Sequence, residues 1–188
     1  MEHRYKNLEF GEDWFGYEKL YDRFIEESKN GSKIVEVGCW KGKSISYLAT
    51  EAINCQKNIT IYAVDTWLGS GFVHDSDPYV KTNTLYELFS KNIEGLNNIV
   101  PIRKPSVDAA KDFENNSVDF IFIDADHSYE SVKSDIMAWY PKLKKGGIIA
   151  GHDCAYFPDT NDVSRAVYEF FGQKIIMYPA NCWVYLNK

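Results

Sequence analysis

The sequence predicts an α/β fold: a doubly wound, mostly parallel seven-stranded sheet closed by a C-terminal antiparallel hairpin. Three observations predict it. Short β-branched apolar runs alternate five times with amphipathic helical stretches, the pattern of stacked β-then-α units. Nearly every apolar run ends on a polar or ionisable residue, as strands do when their carboxyl ends face a ligand. The last two runs are separated only by Pro179-Ala180-Asn181-Cys182, too short a link for a parallel crossover, so they must run antiparallel.

The elements follow in order. Trp14, Tyr17, Leu20, Tyr21, Phe24 and Ile25 recur at helical spacing, and Asn30-Gly31 reads as a left-handed C-cap. This helix is expected across the sheet edge or over the ligand mouth. A strand over Lys33–Cys39 leads through a glycine-bearing turn into a helix from Ser44 to Asn54. A second strand, Thr60–Asp65, opens a long loop, Thr66–Pro78, carrying Gly69, Gly71, His74, Asp75 and Asp77. A helix is expected from Tyr79 to Ile93, a strand at Ile99–Arg103 and a short helix at Val107–Phe113. The most apolar run, Val118–Asp124, is the fourth strand, and a helix over Ser128–Tyr140 stops before Pro141. Lys145-Gly146-Gly147 turns the chain into a strand at Ile148–Gly151. A helix at Asp162–Phe171 ends at Gly172, and Lys174–Tyr178 and Trp183–Leu186 form the hairpin. With no linker, repeat or low-complexity tract, residues 1–188 read as one domain, a helical extension over 1–31 on a core over 32–188.

Composition narrows the function. The 188 residues are 45% apolar and 26% charged, ordinary for a chain able to bury a core. A net charge of -6 without any basic block argues against nucleic acid as partner. No run approaches the ~18 apolar residues of a membrane span, and the polar start lacks the core of a signal peptide. Cys39, Cys55, Cys154 and Cys182 show no CxxC spacing, so they read as reduced thiols of a cytoplasmic protein rather than a zinc site.

The strand ends carry the chemistry. They deliver Glu36, Gly38 and Gly42; then Asp65, Thr66 and Trp67; then Lys104, Pro105 and Ser106; then Asp124-Ala125-Asp126-His127; then His152-Asp153-Cys154. A strand, a glycine turn and a helix start present backbone N–H groups to a ligand. Asp65 lies 23 residues beyond Gly42, near the ~20-residue offset at which an acid meets ribose hydroxyls. The loop is not G-x-G-x-x-G, however. Trp40 stands where a second glycine would be, and its bulk opposes a pyrophosphate.

Glu36-Val37-Gly38-Cys39-Trp40-Lys41-Gly42-Lys43-Ser44 resembles the first motif of class I S-adenosylmethionine-dependent methyltransferases, in the form used by small-molecule O-methyltransferases of the macrocin and catechol types. Phe120 through Glu130, followed by Leu143 through Asp153, is the more specific match. The resemblance implies a Rossmann-like methyltransferase fold with S-adenosylmethionine as cofactor. It places Gly38, with Cys39, Trp40, Gly42 and Ser44, at the methionine moiety, and Glu36 at its amine. Asp65 and Thr66 would hold the ribose with Trp67 flanking it, Ser106 would lie near the adenine, and Asp124 would close the cofactor site.

The acceptor implied is a hydroxyl of a small molecule or saccharide, with no membrane partner; a homodimer is admitted. Asp124, His127, His152 and Asp153 are the candidates for the base that takes the hydroxyl proton, the histidines being suited to it near neutral pH. In relatives with a divalent ion such as Mg2+, carboxylates at the positions of Asp124 and Asp153 hold it. Those two are 29 residues apart, and the position after the second, where a third ligand is usual, is Cys154. A thiol is a poor partner for Mg2+. His3 and His74 read as surface residues, while the 66–78 loop and the N-terminal aromatics Trp14, Phe15 and Tyr17 could close over a substrate. The competing readings are an NAD-dependent Rossmann oxidoreductase, and a catalytically silent cofactor-binding domain.

Overall fold

A computed structural model describes residues 1–3, 14–70 and 74–188. Its seven strands are β1 (Lys33–Val37), β2 (Thr60–Asp65), β3 (Ile99–Arg103), β4 (Val118–Ile123), β5 (Leu143–Gly151), β6 (Ile176–Tyr178) and β7 (Cys182–Leu186). They form one sheet in the order β3-β2-β1-β4-β5-β7-β6. The ladders from β3 through β5 are parallel, and β7 alone runs against its neighbours, between β5 and β6. The helices are α1 (Glu18–Glu27), α2 (Lys43–Asn54), α3 (Pro78–Lys81), α4 (Leu85–Asn92), α5 (Ser106–Ala110), α6 (Tyr129–Trp139) and α7 (Asp162–Phe171).

Alternation along the strands divides the core into two layers. Ile34, Ile61, Phe120, Phe122 and Val184 face a layer built with α1, α2 and α4. Val35, Val37, Ile121, Ile123 and Trp183 face the other, built with α6 and α7. Both faces of the central strands are therefore apolar, which is why those runs lack a polar face. Among the described residues, no helix is long and apolar enough to cross a membrane.

The chain begins in mid-sheet, winds outward to β3, then returns to β4 on the other side of β1. The carboxyl ends of β1 and β4 thus meet at a topological switch point, where such sheets open a crevice. The backbone N–H of Asp124 donates to the Val37 carbonyl, holding the two exits together.

Several expectations need correction. The helix at the amino end does not lie across the sheet edge. It covers the sheet face, Phe24 stacking on Phe120 and Tyr21 meeting Phe122 edge-on, while Tyr17 reaches the ligand mouth. Its C-cap is Ser28, and Asn30-Gly31 instead turns the chain into β1. The helix expected over 79–93 is broken at Thr82-Asn83-Thr84. Asn83 adopts φ 54°, and the two threonine hydroxyls bond each other at 2.7 Å. Asparagine tolerates the left-handed region, and β-branched neighbours do little to hold a helix through it. Lys145-Gly146-Gly147 falls inside β5, where it interrupts the register against β4, with Lys144 bound to Asp119. Gly71, placed in the loop after β2, lies outside the described residues.

Candidate functional site

Two adjoining cavities, of about 630 and 460 Å³, open along the carboxyl edge of the sheet. They share Gly38, Trp40, Ser70, His74 and Asp124-Ala125-Asp126 as a common wall. The larger runs toward Tyr17, His127, His152 and Asp153, and the smaller toward Asp65, Ser106 and Asp135.

The β1–α2 turn is built for close approach. Gly38 has φ 88°, and a Cβ there would stand 2.0 Å from the Asp124 carbonyl oxygen. Gly42, also at φ 88°, is the N-cap of α2, and its Cβ would meet the Phe89 ring at 3.0 Å. Asp65 reaches under this turn from β2. One carboxylate oxygen accepts the N–H groups of Cys39 and Trp40 at 2.8 and 2.9 Å, and the other accepts that of Trp67 at 2.7 Å. Three of about four lone-pair positions are thereby taken. Asp65 is first the clamp that shapes the turn, and it lines the smaller cavity with one position to spare. Thr66 lines that cavity beside it.

Trp40 holds φ 47° and its ring stacks on His74, with centroids 4.1 Å apart. Both line the two cavities, so Trp40 stands at their junction, where it obstructs a diphosphate. Trp67 does not flank the cleft. It is 0% exposed, packs against Tyr86 and Phe89, and its indole N–H donates to the Trp40 carbonyl, supporting the turn from behind.

Glu36 also sits differently from the expectation. It is 1% exposed and lines neither cavity. It shares a strand face with Ile34, so it points into the α1–α2 layer, where the hydroxyls of Tyr21 and Ser44 donate to it at 2.8 and 2.6 Å. Burial pushes its carboxyl up to about 8, against the pull of those two bonds and with repulsion from Asp124 and Asp65 adding to the rise. Ser44, which donates to Glu36, lines the wall of the larger cavity. Cys39 lines the same wall, its thiol raised by burial and inert.

This buried acid has a pH consequence. The folded protein binds the Glu36 proton more tightly than the unfolded chain, whose value is near 4.5. Stability from this group is complete below that value and is lost as pH rises through about 8. Denaturant titrations of the wild type should show the decline over this window, and Glu36→Gln should flatten it. An identical slope in the variant would contradict the assignment.

The larger cavity ends in the group after β4 and β5. His127 Nε2 lies 3.4 Å from one oxygen of Asp124 and 3.3 Å from one of Asp153. His152 Nδ1 lies 3.6 and 3.2 Å from the same two oxygens. Asp153 is held at φ 56°, and the Tyr17 hydroxyl donates to the other oxygen of Asp124 at 3.2 Å. Burial works against both members of the His152–Asp124 pair, and their mutual attraction outweighs it. His152 rises to about 10 through Asp124 and Asp153, and Asp124 is held down to about 2 by His127 and His152. His127 is raised too, chiefly by its bond to Asp124. His152 is therefore not a free base near neutral pH, and His127 is shifted in the same direction; the four face one another as one cluster.

Cys154 lies outside this group. It is buried, its thiol faces the Ala155 carbonyl, and burial raises it to about 11. The third metal-capable partner of Asp124 and Asp153 is His152, from the position before Asp153 rather than after it. A donor set in which imidazole joins the carboxylates does not suit Mg2+, which takes oxygen.

One lining residue escaped the sequence reading, and two were read in other roles. Asp135 is 5% exposed at the base of the smaller cavity, and burial raises its carboxyl to about 6 against a bond from Ser106. Ser106 in turn accepts the Trp139 indole N–H at 2.9 Å. The signal was there: Asp135 interrupts the Val132, Ile136, Trp139 stripe of α6. His74 carried no periodic signal, and its ring is half-buried, held neutral by burial. Tyr17 was singled out, but only as part of a closing flap.

Comparison with known proteins agrees with this geometry. Residues 35–154 match the family described as "Methyltransferase domain". The protein y4gI of Sinorhizobium fredii is 31% identical over 127 residues, 64% of this chain, which spans only 13% of that protein's length. The structure of the O-methyltransferase NovP superposes with a TM-score of 0.69 at 14% identity, covering 91% of this chain and 79% of its own. CalS11, a TDP-rhamnose 3'-O-methyltransferase of calicheamicin biosynthesis, gives 0.59 at 16% identity, covering 90% and 76%.

Proposed function

The chain belongs to the methyltransferase-domain family, and on that premise we propose that it transfers a methyl group from S-adenosylmethionine to a hydroxyl of a small molecule or saccharide. One observation carries the reading: two cavities meet at Gly38 and Trp40, with a ribose-competent acid in one and an acid–imidazole cluster at the far end of the other. The adenosine end fits the smaller cavity, between Asp65 and the Ser106–Asp135 pair. The methionine end fits the β1–α2 turn beside Ser44. The sulfonium then points into the larger cavity, toward the cluster.

The cofactor brings its own leaving group, so the protein positions, excludes water and removes a proton. Trp14 lies 6.3 Å from Trp40 and 5.8 Å from His74, ring to ring, an aromatic wall that keeps water from the transfer line. The acceptor hydroxyl approaches the Asp124–Asp153 carboxylates, and the Asp153 carboxylate, which lines the larger cavity, takes its proton as the O–CH3 bond forms and the S–CH3 bond breaks. The negative net charge and the modest cavity volume support a small acceptor, and the named sugar acceptor of CalS11 supports a saccharide.

Isothermal titration of the purified protein with S-adenosylhomocysteine and with NAD tests the cofactor. Binding of the former alone is expected, and binding of NAD alone would overturn the reading. Labelled methyl transfer into a panel of sugar nucleotides and catechols then identifies the acceptor.

A further inference from the structure

Given S-adenosylmethionine as the cofactor, the premise of the proposed function, we infer that Asp135 selects the cofactor's base, its carboxylate accepting the exocyclic amino group of adenine at the floor of the smaller cavity. Asp135 comes from the middle of α6, on the stripe of Val132, Ile136 and Trp139, which are buried core. A carboxylate in such a stripe is costly unless its charge is met. Among the described residues, no lysine, arginine or histidine meets it. Burial raises its carboxyl, the Ser106 hydroxyl pulls the other way, and repulsion from Asp126 adds to the rise. The acid is retained where packing alone would favour an apolar residue.

The direction of the Ser106 bond follows from its other partner. Trp139 donates its indole N–H to the Ser106 oxygen at 2.9 Å, so the one serine proton is left for Asp135. Ser106 thus fills one of about four acceptor positions on the carboxylate, and the rest can take a further donor. Asp135 is 5% exposed yet lines the smaller cavity, so that donor comes from whatever occupies the cavity. Asp65 lines the same cavity from the end of β2, and Pro105 and Val107 add apolar surface to it. A nucleoside with its ribose on Asp65 and its base against that apolar surface turns its outer edge to Asp135. On adenine that edge carries an amino group, which donates. On hypoxanthine an oxygen stands in its place, and a carboxylate repels it. A buried acceptor discriminates strongly, because the wrong base leaves it unpaired.

The test is calorimetric titration of the full chain with S-adenosylhomocysteine and with S-inosylhomocysteine, in which an oxygen replaces that amino group. Wild type is expected to bind the adenosine compound roughly 10–100-fold more tightly, the range of a hydrogen bond to a charged group. Asp135→Ala should weaken the adenosine compound by that factor and leave the inosine compound little changed. Asp135→Asn keeps the volume and offers an amide N–H to the hypoxanthine oxygen, so the inosine compound should gain affinity and the preference should shrink. If Asp135 only props Ser106 and Trp139, affinity and melting temperature can change in the variants but the preference between the two compounds cannot. An unchanged preference in both variants, or no preference in wild type, overturns the inference and leaves the cofactor assignment standing. If neither compound binds, the cofactor assignment falls, and this contact with it.

Discussion

Gly38→Ala is expected to lower the melting temperature by about 5–15 °C and to abolish S-adenosylhomocysteine binding. The added Cβ would stand 2.0 Å from the Asp124 carbonyl oxygen, 2.5 Å from its carbonyl carbon and 2.7 Å from the Ala125 Cα. All three are backbone atoms of the neighbouring strand exit, so no side chain can swing aside. Overpacking of about 1–3 kcal/mol adds to about 1 kcal/mol for a left-handed alanine. Relief would come only by parting β1 from β4, which widens the crevice where the cofactor is proposed to lie. Gly146→Ala is the control. Gly146 has a similar φ, 80°, but a Cβ there meets nothing within 4 Å, so only the smaller conformational cost should appear. Calorimetry and titration on both variants separate strain from close approach. Equal losses in the two would show that φ alone made Gly38 necessary.

The fold was legible because its strands are buried on both faces and its turns carry glycine. Runs such as Phe120-Ile121-Phe122-Ile123 admit little besides a central strand, and the short link at 179–182 dictates an antiparallel pair. What escaped was set by contacts distant in sequence. The helix at the amino end looks like an edge cover from its stripe alone; only the sheet order reveals Phe120 as the partner of Phe24. The break at Asn83 follows from a left-handed residue that helical periodicity conceals.

The site divides in the same way. Reading the residue at each strand's carboxyl end pointed to Asp65, Ser106, Asp124, His152 and Asp153, and all five line the two cavities because topology brings those ends together. It did not say which way a side chain points. Glu36 and Trp67 each neighbour a residue that lines the smaller cavity, Val37 and Thr66, yet both turn into the core and support the cleft from behind. The metal question turned on one residue, too. Chain order put Cys154, a poor partner for Mg2+, where a third ligand is usual; the thiol is buried, and the residue that joins Asp124 and Asp153 is His152, on the other side of Asp153.

Asp124→Asn is expected to reduce methyl transfer to the best acceptor by roughly 10²–10⁴-fold while S-adenosylhomocysteine affinity changes little. Asparagine keeps the shape of the side chain and an oxygen for the Tyr17 hydroxyl. It removes the charge that both imidazoles face, so the cluster loses the group that holds it together, a carboxylate that lines both cavities. Tyr17→Phe should act through Asp124 and cost less. It removes one orienting hydrogen bond, worth about 0.5–1.5 kcal/mol, or up to about tenfold in rate. The order of the two losses carries the argument. If Asp124→Asn transferred methyl within about threefold of the wild type, the reaction would lie outside the cluster. If instead it lost the cofactor along with the rate, Asp124 would belong to the methyl donor's site rather than the acceptor's. Retained cofactor, a large fall in rate and a smaller one for Tyr17→Phe would fix the acceptor hydroxyl against the carboxylates at the ends of β4 and β5.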